Sequence, residues 1–262
     1  MPSLTVTVIT KNEAHNIAAC LASVSFADQI VVVDSGSTDD TVDIAKQSDA
    51  EVTLHPDWQG FGIQKGRALA LARCEWVLSI DADERVSPAL AIEIQKVIAA
   101  PQFGAYSVPR LSSFCGQYMR HSGWYPDRVL RLFRRGDAQF SDDLVHEKVV
   151  ARATVGQLQN DLMHETYRDV SHMLSKSDAY STAGAADMYR QGKSATLANA
   201  ASHALWAFIR TYILRRGFLD GRLGFVLATS VAQTTYYRYV KLWILGRSAG
   251  SVKTEPKPNV KV

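Results

Sequence analysis

Two carboxylates, Asp81 and Asp83, stand one residue apart directly after the apolar run 76–80. A short apolar run bounded by polar residues is typical of a buried strand, and in open α/β sheets ligands bind at the carboxyl ends of the strands. Because side chains alternate along an extended segment, both carboxylates are expected on one side, where their oxygens suit a divalent cation and a substrate phosphate. A solvent-exposed strand end is the alternative interpretation of this pair taken alone.

The elements that must position these carboxylates alternate between strands and helices. Strands are predicted over Leu4–Thr10, Gln29–Asp34, 51–55 and 75–81. Helices are predicted between them, and another begins at Ser87-Pro88, where the serine caps the helix and the proline opens its first turn. This order is typical of a doubly wound, mostly parallel sheet, and we therefore predict an α/β fold.

The second half of the chain follows a different pattern. Past Pro101 a small antiparallel extension of the sheet is predicted, with strands over 105–111, 129–135 and 148–155. From Asp169 onward the apolar spacing is helical, and the last residues have the proline- and lysine-rich composition of a disordered segment. We therefore predict an α/β domain over 1–167, a basic, aromatic helical subdomain over 168–250 and a disordered tail over 251–262.

The composition is that of a globular protein from a reducing compartment. Of the 262 residues, 47% are hydrophobic and 21% are charged, which are ordinary values for a folded domain. Cys20, Cys74 and Cys115 are widely spaced and form no CxxC pair, which disfavours a disulfide framework or a zinc site. No basic segment precedes an apolar one at the start of the chain, so no signal peptide is predicted and a cytoplasmic location is expected.

The charge is distributed unevenly along the chain. Residues 190–262 hold 12 Lys and Arg against two acidic residues, although the whole chain has a formal net charge of only +3. A basic, aromatic helical end suggests an anionic partner, either a membrane surface or a nucleic acid. The acidic remainder of the chain and the lack of a recognised nucleic-acid-binding module argue against nucleic acid.

One stripe within this basic end has the pattern of a helix that lies on a membrane. Apolar and aromatic residues recur at helical spacing from Tyr236 to Ile244, and Arg238 and Lys241 fall on the opposite face, as in an interfacial helix. The uncharged stretch 223–237 is too short to span a bilayer. We expect contact with an anionic membrane surface, and the alternative is a packed helical subdomain or an oligomer contact.

Several other classes of enzyme lack their signatures here. The chain has no GxxxxGK[ST] loop, no GxGxxG after its first strand and no GxSxG. P-loop NTPases, dinucleotide-binding enzymes and Ser-His-Asp hydrolases are therefore disfavoured. A phosphatase with an aspartyl nucleophile has Thr or Val two residues after its second Asp, where this chain has Arg85.

Three motifs at predicted strand ends resemble those of one enzyme family. They are TKNE at 10–13, VDSGSTDDT at 33–41 and IDAD at 80–83. Together they are similar to the nucleotide-binding half of a family-2 glycosyltransferase with the GT-A fold. Four further motifs resemble a narrower branch, the lipopolysaccharide inner-core glucosyltransferases, which glucosylate a core heptose. These motifs lie at 60–65, 121–127, 145–147 and 217–221.

The resemblance implies a UDP-sugar donor whose diphosphate is neutralised by a divalent metal, Mg²⁺ or Mn²⁺. It implies Asp83 as a metal ligand and Asp81 as a contact of the ribose or of a metal-bound water. His164 is implied as a late metal contact, with a structural role as the alternative. The residues implied to line the nucleotide pocket are Thr10, Asn12, Glu13, Asp34 and Lys65. A solvent-exposed helix face is the alternative for the lysine.

Inversion at the sugar carbon also needs a base that deprotonates the attacking hydroxyl. Glu147 occupies roughly the place of the family's acidic base, and Asp143 is the reserve candidate. The residues expected to contact the acceptor are Trp124, Tyr125, Asp127 and His146. Ordinary loop packing is the alternative for the two aromatic residues, and capping of a strand is the alternative for the histidine. Contact with acceptor phosphates and a solvated strand face are the two alternatives for Arg128, Arg131, Arg134 and Arg135.

The sequence thus predicts a metal-dependent, inverting glycosyltransferase. We expect it to move a hexose, glucose from UDP-glucose, onto a heptose of the lipid-linked lipopolysaccharide inner core. We expect it in the cytoplasm, peripheral on the inner face of the inner membrane. One alternative is a transferase for another acceptor, such as polyprenyl phosphate or a peptide. The other is a non-catalytic protein that binds sugar nucleotides or serves as a membrane scaffold.

Overall fold

The computed structural model describes residues 2–140 and 149–252, with side chains up to residue 247. Its strands are β1 (Leu4–Thr10), β2 (Gln29–Asp34), β3 (Glu51–Leu54), β4 (Trp76–Asp81), β5 (Glu84–Val86), β6 (Ala105–Phe114), β7 (Gln117–Tyr118), β8 (Asp127–Arg134), β9 (Ala138–Phe140), β10 (Val149–Ala151), β11 (Val155–Gln157) and β12 (Leu162–Tyr167). Its helices are α1 (Ile17–Ala22), α2 (Thr41–Gln47), α3 (Phe61–Ala70), α4 (Pro88–Ala99), α5 (Val170–Arg190), α6 (Leu197–Ile209) and α7 (Gly221–Val252). A π-helical turn, Arg210–Leu214, and a 3₁₀ turn, Gly217–Asp220, lie between α6 and α7 along the chain.

The chain forms two compact units. The first comprises Met1–Ser112 and Pro126–Thr166, and the second comprises Ser113–Tyr125 and Tyr167–Val262. The first unit is an α/β sheet with its covering helices, whereas the second is mostly helical.

The sheet of the first unit has the strand order β3-β2-β1-β4-β8-β6-β12-β5. The pairings of β1 with β2, β1 with β4 and β2 with β3 are parallel, whereas β8 pairs antiparallel with β4 and β6. Every residue of β1 is buried, as is typical of a central parallel strand covered on both faces. The predicted α/β fold, a mostly parallel sheet with an antiparallel extension, is confirmed.

The pairing register brings the ends of three strands together. Thr10, the last residue of β1, lies opposite Asp34 of β2, and Ile9 lies opposite Asp81 of β4. Because parallel strands run in one direction, their carboxyl ends form one edge of the sheet. The three strand-end motifs of the sequence therefore meet at this edge.

Two helices of this unit start and pack as their sequences predict. Ile17, Cys20 and Leu21 of α1 are buried in the same apolar cluster as the core residues of β1 and β4. α4 begins at a cap in which Ser87 Oγ accepts the N–H of Leu90 at 3.2 Å, and Pro88 is its first residue. The helical spacing and the capping residues thus position the helices over the sheet.

Two predicted extended segments are wrong. The predicted strand over 148–155 is two short strands in the described part, β10 and β11, because β10 pairs with β9 and β11 pairs with β6. The second error concerns the carboxylate pair, since the extended backbone ends at Asp81 and Ala82-Asp83 is a turn that leads into β5. Strand alternation therefore does not relate the directions of the two carboxylates.

Two helices of the second unit, α5 and α6, begin at well-formed caps. Asp169 accepts the N–H of His172 at 2.8 Å at the start of α5. Thr196 and Asn199 form a reciprocal capping box at the start of α6. Among the described residues, no helix combines the length and the hydropathy that crossing a membrane requires.

The predicted solvent-facing cations of α7 face α5 instead. Lys241 Nζ lies 2.6 Å from Asp178 Oδ1 and 2.8 Å from Ser181 Oγ. The Arg238 side chain lies against Gly184, where an added Cβ would come within 3.0 Å of its Nε. The prediction that these two cations form the exposed polar face of a membrane-bound helix is wrong, because both side chains lie against α5.

Candidate active site

The carboxylate of Asp81 is held between two cations at the end of β4. Arg131 Nη2 lies 2.6 Å from Oδ2, and Lys65 Nζ lies 2.9 Å from Oδ1. Lys65 is only 5% exposed, so the alternative of a solvent-exposed helix face is wrong for this residue. Arg131 is also buried, and it belongs neither to a solvated strand face nor to a free phosphate-binding surface.

Glu84, the first residue of β5, ties the turn after β4 to the same arginine. Its carboxylate is fully buried and lies 2.6 Å from Arg131 Nη2 and 3.3 Å from Arg110 Nη1. Its other oxygen accepts the backbone N–H of Asp81 at 3.0 Å. Arg110 in turn donates to Asp127 at 2.6 Å. The ion network therefore comprises Lys65, Asp81, Glu84, Arg110, Asp127 and Arg131.

This ion network favours the charged form of the Asp81 carboxylate. Burial alone would raise the pKa of Asp81, but Arg131 and then Lys65 outweigh it and hold the pKa well below its ordinary value. Burial opposes the charge of Arg131 as well, yet Asp81 and Glu84 raise the pKa of its guanidinium. Three cations thus face three carboxylates, which is what buried ions require.

Asp83, in the turn after β4, has a different neighbour from Asp81. His164 Nε2 lies 3.3 Å from Asp83 Oδ2, and both side chains are partly exposed. The pairing of β12 with β5 sets this contact, because it places His164 opposite Glu84. The next N–H, of Glu165, donates to the Asp83 carbonyl at 2.9 Å. The structure therefore brings together the two residues predicted as metal ligands, which are 81 positions apart in sequence.

The surroundings of His164 fit a metal-binding imidazole. Its Nδ1 lies 3.0 Å from both Ser112 Oγ and Thr166 Oγ1. With a metal ion bound, a hydroxyl oxygen would hold the Nδ1 proton and the Nε2 lone pair would face the ion, which is the usual arrangement behind a ligating histidine. Among the described residues, no three His, Cys, Asp or Glu side chains form a metal-binding group. Asp83 and His164 could therefore supply two ligands, with substrate and water completing the coordination.

The loop after β2 is shaped by Asp34. Its buried carboxylate accepts the N–H groups of Gly36 at 2.9 Å and Ser37 at 2.8 Å, and Ser37 Oγ also donates to it. Gly36 has a φ of +84°, which a residue with a Cβ rarely adopts. The structural role of Asp34 is therefore to hold this turn, and its contact with a nucleotide stays a prediction.

The residues after β1 bind the same loop. Asn12 Oδ1 accepts the N–H of Thr38 at 2.8 Å, and the N–H of Glu13 donates to Thr41 Oγ1 at 2.8 Å. Thr10 Oγ1 is buried and has no hydrogen-bond partner among the described residues. The first two motifs thus form one hydrogen-bonded structure at the sheet edge, and their nucleotide contacts stay predictions.

The predicted acceptor residues belong to separate surroundings. Trp124 packs against Phe114 and Tyr167, with ring centroids about 6 Å away, and lines a cavity of about 200 Å³ in the second unit. The Arg120 guanidinium lies 5.3 Å from the ring centre of Tyr125. Asp127 is paired with an arginine in the first unit. The predicted residues Asp143, His146 and Glu147 lie outside the described residues.

Sequence reasoning missed Glu84 and Arg110 as site residues, and both alternatives that it gave for Arg131 were wrong. A signal was present, because Arg131 interrupts the apolar run of β8, and a cation inside a buried strand must find buried anions. Glu84, three residues after Asp81, was the available partner. Its connection with Arg110 depends on the pairing of β6 with β8, which local sequence does not reveal.

The sheet order defines an α/β protein with acidic residues at the carboxyl edge of its parallel strands, which is where open α/β sheets bind ligands. The family model described as glycosyl transferase family 2 matches residues 5–153, more than half of the chain. The chain belongs to this family, is a glycosyltransferase and has the GT-A fold.

Similar proteins extend this likeness over nearly the whole chain. An uncharacterized glycosyltransferase of Rickettsia prowazekii is 31% identical, with 97% of this chain and 91% of the relative covered. The lipopolysaccharide core biosynthesis glycosyltransferase LpsC of Rhizobium meliloti is 29% identical, with 88% and 91% covered. The solved glucosyl-3-phosphoglycerate synthase of Mycobacterium tuberculosis, in complex with Mn²⁺, UDP and glucosyl-3-phosphoglycerate, is 26% identical. That likeness covers only 43% of this chain and 44% of the other, with a TM-score of 0.37.

Removing the central cation of the ion network tests its contribution to stability. Arg131→Met is expected to lower the free energy of unfolding by about 3–5 kcal/mol, because two carboxylates are left partly uncompensated. Urea unfolding measures the loss. Arg131→Lys keeps the positive charge but lacks the planar guanidinium. Its free energy of unfolding is expected to lie between those of the wild type and Arg131→Met.

Arg134→Met, on the same strand, is the matched control. Its guanidinium is half exposed and lies 3.2 Å from Glu75, so a loss below about 1 kcal/mol is expected. Equal losses for Arg131→Met and Arg134→Met would show that the ion network adds nothing beyond an ordinary surface ion pair.

Proposed function

We propose that this glycosyltransferase is metal-dependent and inverting, and that it moves a hexose from a UDP-sugar onto a saccharide of the lipopolysaccharide core. The observation that carries the metal assignment is the Asp83–His164 pair, 3.3 Å apart at the carboxyl edge of the sheet. The likeness to LpsC, together with the motifs of the inner-core branch, supports the acceptor class. Glucose from UDP-glucose and a heptose of the lipid-linked inner core are the donor and acceptor that these motifs favour.

In this proposal Asp83 and His164 hold the metal, and Ser112 and Thr166 fix the imidazole so that Nε2 faces it. A bound divalent metal supplies neutralisation of the charge that develops on the leaving diphosphate. Asp81 is engaged through both oxygens by cations, but each carboxylate oxygen has a second lone pair. We propose that these remaining lone pairs of Asp81 accept a hydrogen bond from a ribose hydroxyl or from a metal-bound water.

The proposed base is Glu147, with Asp143 in reserve. Both assignments rest on the sequence motif alone, because these residues lie outside the described ones. The base would accept the proton of the acceptor hydroxyl as that oxygen attacks the sugar carbon from the side opposite the diphosphate. A carboxylate is suited to this step because it takes up the proton only as the new bond forms.

Asp83→Asn tests the metal assignment without relying on turnover. We expect Mn²⁺ affinity, measured by calorimetry in the presence of UDP, to fall by at least roughly tenfold, because a charged ligand becomes a neutral one. His164→Ala should weaken Mn²⁺ in the same direction. Asp43→Asn, which removes an exposed carboxylate from α2, is the control and should bind Mn²⁺ as the wild type does. Unchanged Mn²⁺ binding by Asp83→Asn would refute the assignment.

An assay of nucleotide release distinguishes the candidate reactions. It uses a panel of UDP-sugars, Mn²⁺ and a heptose-containing core oligosaccharide. Glu147→Gln should bind UDP but lose transfer, whereas full activity in Glu147→Gln and loss in Asp143→Asn would move the base to Asp143. Turnover only with polyprenyl phosphate or a peptide would change the acceptor class. Inactivity of the wild type across all donors and acceptors would favour a non-catalytic sugar-nucleotide-binding protein.

We also propose that the second unit contacts an anionic membrane surface. Large apolar side chains that are 48–62% exposed recur from α6 to the start of α7, and we call them the apolar patch. Its members are Leu205, Trp206, Ile213, Leu214, Phe218, Leu219 and Phe225. Tyr212 joins its parts, because its ring centre lies 6.3 Å from that of Phe218 and 5.6 Å from that of Phe225.

The charges beside the apolar patch favour a bilayer over a second copy of the chain. Arg210, Arg215, Arg216 and Arg222 are exposed. Between residues 191 and 247 the only acidic residue is Asp220, which is buried. Two copies meeting through this face would bring eight guanidinium groups together without exposed acidic partners from this stretch, whereas anionic lipids would neutralise them. We therefore still propose a peripheral membrane protein, but with the apolar patch and its arginines as the contact surface in place of the face of Arg238 and Lys241.

Vesicle cosedimentation tests the membrane contact. Arg210→Gln/Arg222→Gln should weaken binding to phosphatidylglycerol vesicles roughly thirtyfold, since each cation near an anionic leaflet is worth about 1 kcal/mol. Leu214→Ser/Phe218→Ser should weaken it too, whereas Ile92→Ser, at a 68% exposed position of the first unit, should not. Equal binding to phosphatidylcholine, or dimerisation that the patch substitutions abolish, would contradict the proposal.

A further inference from the structure

Residues of two sequence motifs, at 121–127 and 217–221, meet within the second unit. Asp220, in the 3₁₀ turn, is only 4% exposed and accepts hydrogen bonds from the loop at 120–122. Its donors are the N–H of Arg120 at 3.1 Å, the N–H of His121 at 3.1 Å, Ser122 Oγ at 2.9 Å and His121 Nδ1 at 3.0 Å. One buried carboxylate therefore fixes both the backbone of this loop and its imidazole.

Close backbone approach around this carboxylate requires glycine. A Cβ on Gly217 would lie 2.8 Å from both Ser122 Oγ and the Thr211 carbonyl oxygen. A Cβ on Gly224 would lie 1.9 Å from the Gly217 carbonyl oxygen. The glycines next to Asp220 in the sequence therefore allow the turn to pack against the loop.

The contact with Asp220 sets the hydrogen-bonding character of His121. An ionised carboxylate only accepts, so Nδ1 of the imidazole must donate to it. In the neutral form of the ring, the lone pair is then on Nε2. The side chain is 36% exposed, and Nε2 has no hydrogen-bond partner among the described residues. His121 is thus a fixed, accessible acceptor that suits a hydroxyl donor.

The neighbours of His121 have the chemistry of a saccharide site. Tyr125 presents an aromatic ring with the Arg120 guanidinium 5.3 Å from its centre, and Trp124 is partly exposed. Sugar rings combine hydroxyl groups with an apolar C–H face, which such an aromatic surface and a polar acceptor recognise together. The attachment of this loop to Asp220 does not require the imidazole of His121, because backbone N–H groups and Ser122 also donate to the Asp220 carboxylate.

We propose that His121 Nε2 accepts a hydrogen bond from a hydroxyl group of the acceptor saccharide, and that Asp220 is the positioning residue that fixes its tautomer. This inference rests on the proposed glycosyl transfer and adds a specificity-determining contact to it. The site discriminates by hydroxyl position, because the acceptor atom is held in one place.

His121→Phe tests the contact because it keeps an aromatic ring but removes the acceptor atom. The probe is a deacylated, heptose-containing core oligosaccharide, and its binding is measured by NMR without donor. We expect at least tenfold weaker binding and a raised KM for the oligosaccharide. The Kd for UDP-glucose with Mn²⁺ should stay within twofold of the wild type. His203→Phe, in the same unit, is the control and should change neither value.

Asp220→Asn gives a readout that a purely structural role would not move. The ¹⁵N chemical shifts of the His121 imidazole should indicate the Nδ1–H tautomer in the wild type. In Asp220→Asn the preference for this tautomer should be lost, and oligosaccharide binding should be weaker. Wild-type affinity in His121→Phe, or no oligosaccharide binding by the wild type, overturns the inference. If the wild type binds the oligosaccharide through His121 but binds no UDP-sugar, the proposed function fails and the saccharide site stands.

Discussion

The buried guanidinium of Arg131 is the interaction on which the rest of the site depends. It bridges Asp81 at the end of one strand and Glu84 at the start of the next, with both N···O distances at 2.6 Å. A buried charge is stable only when it is compensated and hydrogen-bonded, so the turn between these two carboxylates must keep the shape that serves the arginine. Asp83, inside that turn, is therefore carried on a short segment fixed at both ends.

This fixed turn explains why two carboxylates so close in sequence have separate roles. Asp81 faces Lys65 and Arg131, whereas Asp83 faces His164 on a strand from much later in the chain. A divalent cation bound by Asp81 would have to compete with two cations already in contact with it. Among the described residues, the same cation beside Asp83 meets an imidazole whose far nitrogen contacts two hydroxyl groups.

The sequence predicted most of the first four strands and the carboxyl edge, because apolar runs, caps and strand-end polar residues are local signals. It predicted Asp83 and His164 as partners only through a family resemblance, since the pairing of β5 with β12 is set by distant segments. Its error on Arg238 and Lys241 has a similar origin. Helical periodicity places both on one face, but it does not tell whether that face meets solvent or another helix.

Two of the histidine–carboxylate contacts in the described part of the chain show how partner choice sets chemistry. In one, Nε2 of His164 faces Asp83 and Nδ1 faces two hydroxyl oxygens, so a cation can enter between the ring and the carboxylate. In the other, Nδ1 of His121 is one of four hydrogen-bond donors that together satisfy the Asp220 carboxylate, which leaves no capacity for a metal. The same pair of residue types is therefore suited to bind a metal in the first unit and to accept a hydroxyl hydrogen in the second.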